Sequence, residues 1–237
     1  MKTIGLLGGM SWRSSLEYYR IINEETQKRL GGWHSAKILM YSVDFDEVDI
    51  EKNNEDWERS KKILINAAQN LEKGGVDFLL ICANTPHKMA EYIQNGVKIP
   101  LLHIADVTAE KIKSKGIKKV GLLGTKFTMQ EDFYKGRLEN KHGLKVIVPQ
   151  EKEREIVNTE INNLCLGKSK PGAKKQFIDI INNLIKNGAE AIILGCTEIP
   201  LLIQQEDVKV MLFDTTRIHA ESAVEFALKG EIKLRRK

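Results

Sequence analysis

The chain has 237 residues and a formal net charge of +5, with 42% hydrophobic and 29% charged residues. This is the make-up of a globular chain long enough for one large α/β domain or two small ones. Its densest basic clusters, Lys168/Lys170/Lys174/Lys175 and the tail from Lys233 to Lys237, are not interleaved with aromatics, and no apolar run approaches a bilayer span of roughly 20 residues, so neither nucleic acid nor membrane is an expected partner.

In chain order, short apolar runs predict strands at 3–7, 37–43, 76–82, 101–104, 119–123, 145–148, 189–194 and 208–213. Most are continuous rather than alternating runs, as buried parallel strands are. Between them, helical periodicity covers 14–30, 56–73, 130–140 and 174–187, and a further helix is expected from 215 to 229. This alternation predicts an α/β fold with parallel central sheets covered by helices.

The order repeats. Gly5-Leu-Leu-Gly8 recurs as Gly121-Leu-Leu-Gly124, and Lys73-Gly-Gly75, an apolar strand and Cys82 recur as Lys186-Asn-Gly188, an apolar strand and Cys196. Two pseudo-symmetric lobes follow, one from 1–105 plus 214–237 and one from 106–213, with ligands expected in a cleft between them, beyond the carboxyl ends of the strands. The turns to search are Gly8-Gly9-Met10-Ser11, Cys82-Ala83-Asn84-Thr85, Gly124-Thr125 and Cys196-Thr197-Glu198.

The three cysteines, Cys82, Cys165 and Cys196, form no CxxC, which indicates neither a metal site nor a disulfide framework. The start, Met1-Lys2-Thr3 running straight into Ile4-Gly5, is too short for a signal peptide, and the chain reads as cytoplasmic with free thiols. Cys82 and Cys196 each end a predicted strand, with Pro86 and Pro200 each four residues on, where proline suits a first helical turn. Thr85 is placed to cap the helix opened by Pro86. A thiol beside a helix N-terminus is favoured as thiolate, and the same N–H groups would hold a carboxylate. An isolated buried cysteine is ordinarily a small core hydrophobe; two at matching points of a repeat argue for chemistry. Cys165 has no such setting and reads as structural.

Leu79-Leu-Ile-Cys-Ala-Asn-Thr85 and Ile192-Ile-Leu-Gly-Cys-Thr-Glu-Ile-Pro200 resemble the two signatures of the aspartate/glutamate racemase family, and Gly5-Leu-Leu-Gly-Gly-Met-Ser-Trp12 resembles the opening of its aspartate and broad-specificity members. The resemblance implies two Rossmann-like lobes and an isomerase acting on an amino acid with no metal and no pyridoxal phosphate. Cys196 and Cys82 would be the acid/base thiols, one removing the α-proton and the other returning a proton on the opposite face. Asn84, Thr85, Thr125 and Thr197 are candidates by position for binding the substrate carboxylate, with Glu198 beside them, and the family pattern adds Met10 and Ser11. Turn-forming or capping roles are the alternative for each. An acidic substrate side chain asks for a cation, and Lys52, Lys168 and Lys170 are the candidates; a neutral polar amino acid such as homoserine is the alternative substrate. The expected partner is this small molecule, with a second copy of the chain the one protein partner entertained.

The signature departs from the family at one point, because many members have Cys directly before Asn-Thr and this chain has Ala83 there. Aligning the proline turns pairs Cys82 with Cys196; aligning Gly75-Val-Asp with Gly188-Ala-Glu pairs Ala83 with Cys196. A shift of one residue in a strand reverses the side chain's direction, so Cys82 and Ala83 compete for the first base position. The alternatives are a one-thiol isomerase or decarboxylase of the same architecture and an amino-acid-binding protein that has lost turnover. A glycine-rich turn without GxGxxG or GKS/T argues against nucleotide-binding enzymes, and His87 and His103 read as packing residues rather than as the base of a Cys/His enzyme.

Overall fold

The computed structural model describes residues 1–48 and 57–229. The elements run β1 (Ile4–Gly8), α1 (Trp12–Leu30), β2 (Ile38–Ser42), α2 (Phe45–Val48), α3 (Trp57–Lys73), β3 (Phe78–Ile81), a 3-10 turn at Thr85–Met89 and α4 (Ala90–Gly96). They continue with α5 (Ile104–Lys113), β4 (Lys119–Gly124), α6 (Lys126–Gln130), a π-helix at Asp132–Lys141, β5 (Lys145–Ile147), α7 (Glu151–Cys165), α8 (Ala173–Lys186), β6 (Ala191–Gly195), β7 (Met211–Asp214) and α9 (Thr215–Leu228). The chain divides into two compact units: Met1–His103 with the chain from His219 onward, and Ile104–Ile218.

The first unit holds a three-stranded sheet in the order β2-β1-β3, with both pairings parallel. Every residue of β1 and β3 is buried, which is why the sequence shows unbroken apolar runs there. Ile4, Leu6, Phe78, Leu80 and Cys82 point to one face, where Tyr18, Ile21 and Ile22 of α1 and Ala220, Ala223, Val224, Ala227 and Leu228 of α9 close over them. The face of α3 that carries Leu64, Ala67, Ala68 and Leu71 is likewise buried, at the i, i+3, i+4, i+7 spacing of an amphipathic helix. The N–H of Lys2 donates to the carbonyl of Ala227 at 3.0 Å, tying the two ends of this unit together.

The second unit holds a four-stranded sheet in the order β5-β4-β6-β7, again all parallel. On α8, Ala173, Phe177, Ile180, Ile181 and Leu184 form the buried stripe.

Two sequence expectations are corrected. Residues 101–104 form no strand: Leu101 makes a single parallel bridge to Leu79, and Ile104 already opens α5, whose Ile104, Ala105, Val107, Thr108 and Ile112 are buried at helical spacing. The expected α-helix over 130–140 is split, because α6 ends at Gln130, Glu131 is extended, and the ten residues from Asp132 to Lys141 wind as a π-helix. Tyr134 and Leu138 are buried in it, and their i, i+4 spacing would also share one face of an α-helix, so the apolar pattern does not separate the two windings.

Candidate active site

The strand registers define which residues of the two units correspond. Gly5 of β1 pairs with Leu79 of β3, and Gly121 of β4 pairs with Ile192 of β6. Gly75 and Gly188, both at positive φ (83° and 91°), enter these strands at the same distance. Carried forward, the register sets Cys82 against Gly195 and Ala83 against Cys196. The backbone agrees: the N–H of Cys82 donates to the Leu7 carbonyl at 2.9 Å, and Gly195 pairs with Gly124 in the next strand. A Cβ at Gly195 would sit 2.8 Å from the carbonyl oxygen of Leu123, so only glycine fits there without a shift.

In the first unit the turn after β1 is closely packed. Gly9 has φ +96°, and a Cβ there would overlap the backbone of Val43; this is a position only glycine fills. The N–H of Gly9 donates to Ser15 Oγ at 2.8 Å. Met10 and Ser11 are buried, and Ser11 Oγ has no hydrogen-bond partner among the described residues. After β3, Cys82 is 1% exposed within the apolar cluster beneath α1 and α9, and Ser14 Oγ donates to its carbonyl at 2.5 Å. Burial pushes the Cys82 thiol up, away from ionisation. The carbonyl of Ala83 is paired with His87 Nδ1 at 2.7 Å. Asn84 is buried and Thr85 half-buried. Thr85 does not cap the following turn: Asn84 holds the cap position, with no side-chain capping bond.

In the second unit Thr125 caps α6, its side chain accepting from the N–H of Thr128 at 3.3 Å. Beyond β6, Cys196 is 8% exposed, and its carbonyl accepts from the N–H of Ile199 to start a 3-10 turn containing Pro200. The Cys196 thiol donates to Glu198 Oε2 at 3.1 Å, and Thr197 Oγ1 donates to the same oxygen at 2.6 Å. Glu198 is 3% exposed. Burial first, and the Glu198 charge next, push the Cys196 thiol up, while the backbone N–H of Glu198 pulls it down. The thiolate expected from the helix-start position is therefore overridden in both turns by desolvation. A 3-10 turn follows each of these cysteines, and it presents fewer aligned N–H groups than an α-helix start.

Of the candidate cations, Lys52 lies outside the described residues, and Lys168 is exposed in the connection between α7 and α8, its N–H donating to the Asn163 carbonyl at 2.9 Å. Each unit thus assembles its own candidates: Met10, Ser11, Ala83, Asn84 and Thr85 at the strand ends of the first sheet, and Thr125, Cys196, Thr197 and Glu198 at those of the second. The thiol–carboxylate contact escaped sequence reasoning, although the i, i+2 spacing of Cys196 and Glu198 in a turn was its one visible signal. Among the described residues no group of three or more His, Cys, Asp or Glu side chains is placed to hold a metal ion, and no helix is long and apolar enough to cross a membrane.

Comparison with known proteins agrees with this arrangement. A crystal structure of a Yersinia pestis protein assigned as an Asp/Glu racemase matches with 48% identity and a TM-score of 0.90, covering 96% of this chain and 100% of that one. An aspartate racemase homologue from Pyrococcus horikoshii matches with 41% identity and a TM-score of 0.82, over 96% and 99% of the two chains. The broad specificity amino-acid racemase RacX of Bacillus subtilis is 27% identical over 93% of this chain and 96% of its own. The sequence matches the Asp/Glu/hydantoin racemase family over residues 7–223, and the chain belongs to that family.

Proposed function

We propose that the protein is an amino-acid racemase that works at the substrate α-carbon without a cofactor, with Cys196 as the acid/base thiol. The carrying observation is the turn beyond β6, where Cys196 sits with its sulfur hydrogen-bonded to Glu198. An amino acid's α-hydrogen is removable when the resulting carbanion is spread into a carboxylate that donors hold. Thr125 and the backbone N–H groups of the Cys196 turn are the donors for it in the second unit, where the Thr197 hydroxyl is already given to Glu198; Asn84 and Thr85 are the corresponding polar side chains of the first unit's turn. Small polar amino acids, aspartate, glutamate or homoserine, are the substrates that fit the family and its broad-specificity member.

The first base is where this chain differs. By strand register Ala83, which does not titrate, is the counterpart of Cys196 in the repeat, and Cys82 belongs to the apolar cluster. These observations favour an enzyme with one thiol, in which the second proton carrier is water or a different side chain and the two enantiomers are handled unequally.

The test is incubation of the protein with L- and D-aspartate, glutamate and homoserine in deuterium oxide, followed by mass and chiral analysis. Deuterium at Cα with inversion is the expected outcome for at least one of them, slower from one enantiomer than from the other. Cys196→Ser is expected to remove this exchange, because a hydroxyl is far less acidic than a thiol. Exchange near the wild-type rate in that variant would take Cys196 out of the mechanism.

A further inference from the structure

A buried carboxylate needs a reason to be there, since charge is costly to desolvate unless donors or a cation hold it. The donors bound to Glu198 are the thiol of Cys196 and the hydroxyl of Thr197, both on Oε2. Oε1 is buried and has no partner among the described residues. Buried polar atoms are ordinarily paired, and Oε1 of this carboxylate is not. This one is aimed at the sulfur assigned above to the chemistry.

We propose, on the reading that Cys196 is the acid/base thiol, that Glu198 is its proton acceptor, so that the two form a thiol–carboxylate pair and the sulfur meets the substrate as thiolate. The proton moves along the existing S–H···Oε2 bond, giving a thiolate and a carboxylic acid. The pair carries one negative charge before and after, so the transfer buries no new charge. The thiolate then takes the α-proton; the C–H bond breaks, an S–H bond forms, and the bonding electron pair passes to the α-carbon and the substrate carboxylate. A proton then reaches the opposite face of the α-carbon from the second carrier, the sulfur keeps the substrate's proton as its thiol, and the carboxylic acid of Glu198 gives its proton to solvent, which replaces the one the carrier lost and restores the start.

The groups acting on the sulfur within its unit support this division of labour. Glu198 as a carboxylate opposes ionisation of the thiol, and so does Cys165 at the end of α7, whereas the backbone N–H of Glu198 favours the thiolate. Once Glu198 holds the proton, its opposition is gone and its backbone N–H remains in place to hold the sulfur anion. One residue therefore supplies both the proton acceptor and the thiolate donor, which a carboxylate elsewhere in sequence would not.

The experiment compares wild type with Glu198→Gln and Glu198→Asp. It follows deuterium exchange at Cα of aspartate and homoserine from pH 6 to pH 10, and the rate of Cys196 alkylation by iodoacetamide by peptide mass spectrometry over the same range. Glutamine keeps the size and an acceptor oxygen but takes no proton. Exchange by Glu198→Gln is expected to fall by about 100-fold or more at pH 7, with the deficit narrowing about tenfold per pH unit as the thiol ionises unaided, and alkylation should shift to higher pH in step. Glu198→Asp should keep the wild-type pH profile at reduced rate. A Glu198→Gln protein that exchanges at the wild-type rate, or whose deficit and alkylation do not change with pH, overturns the proposal, because a purely structural contact would be lost equally at every pH. Exchange surviving in Cys196→Ser would instead overturn the underlying reading, so the two failures are distinct.

Discussion

Cys82 and Cys196 are the same side chain in two settings, and the difference fixes what each substitution does. Cys82 continues the row of Phe78 and Leu80 into the core cluster; removing its sulfur leaves a cavity about the size of a methyl group. Cys82→Ala is expected to lower the unfolding free energy by about 1–2 kcal/mol, read from urea melts, while Cα exchange stays at the wild-type rate. Ala83→Cys is expected to do the reverse, leaving stability nearly unchanged and increasing exchange with inversion by supplying a thiol at the position that corresponds to Cys196. A Cys82→Ala protein devoid of exchange would return Cys82 to the chemistry. The sequence holds the ambiguity between positions 82 and 83 because proline spacing and glycine spacing give different offsets. Prolines mark where a turn ends, whereas Gly75 and Gly188 mark where the strand begins, and only strand pairing shows that the second offset governs the side chains. The Cys196 turn was legible from the motif alone; Glu198 as its hydrogen-bond acceptor was not, since a side chain's partner in a turn depends on backbone angles that spacing does not reveal.

Among the elements, α9 makes a polar contact that was invisible in the chain order. Its His219 is fully buried, with Nε2 on the Leu102 carbonyl at 2.8 Å and Nδ1 on the Tyr18 hydroxyl at 2.8 Å. With Nε2–H donating, Nδ1 accepts from Tyr18. Burial, with His87 nearby, lowers the His219 pKa from the ordinary 6.5 to about 3. The sign is definite: below pH 6.5 the unfolded chain takes a proton that the folded chain refuses. Stability is therefore complete above pH 6.5 and falls by roughly 1.4 kcal/mol for each pH unit below it, until about pH 3. The urea midpoint of wild type should drop between pH 6.5 and pH 4.5, and His219→Gln, though less stable at neutral pH, should drop less over that interval. Equal slopes would show that His219 is not the group responsible. The hydrophobic runs revealed β1, β3, β4 and β6 because all their residues but Lys119 are buried. The stretch at 101–104 looked like a strand for the same reason, yet Pro100 and the early onset of α5 allow it a single bridge.

For the molecule as a whole, each unit has its own sheet and the first is built from two separated pieces of chain. Ala220, Ala223, Val224, Ala227 and Leu228 of α9 complete the cluster around Ile4, Leu6 and Phe78. Ala223→Asp would bury an unpaired charge in that cluster, a change of several kcal/mol. Hydrogen exchange should then show the amides of β1 and β3 losing protection while those of β4 and β6 keep it; equal loss in both sheets would mean that the two cores melt as one. Synthesis on the ribosome turns this layout into a matter of timing. Chains usually mature from the amino end, at about 5–20 residues per second, but here the half made first lacks its covering helix until the last turns emerge. For roughly ten seconds the nascent strands Ile4–Gly8 and Phe78–Ile81 wait with one apolar face covered by α1 alone, while the half made later can already close its own core. The segment most in need of a chaperone's protection during translation is therefore the oldest one, and its release is set by the arrival of residues 219–228.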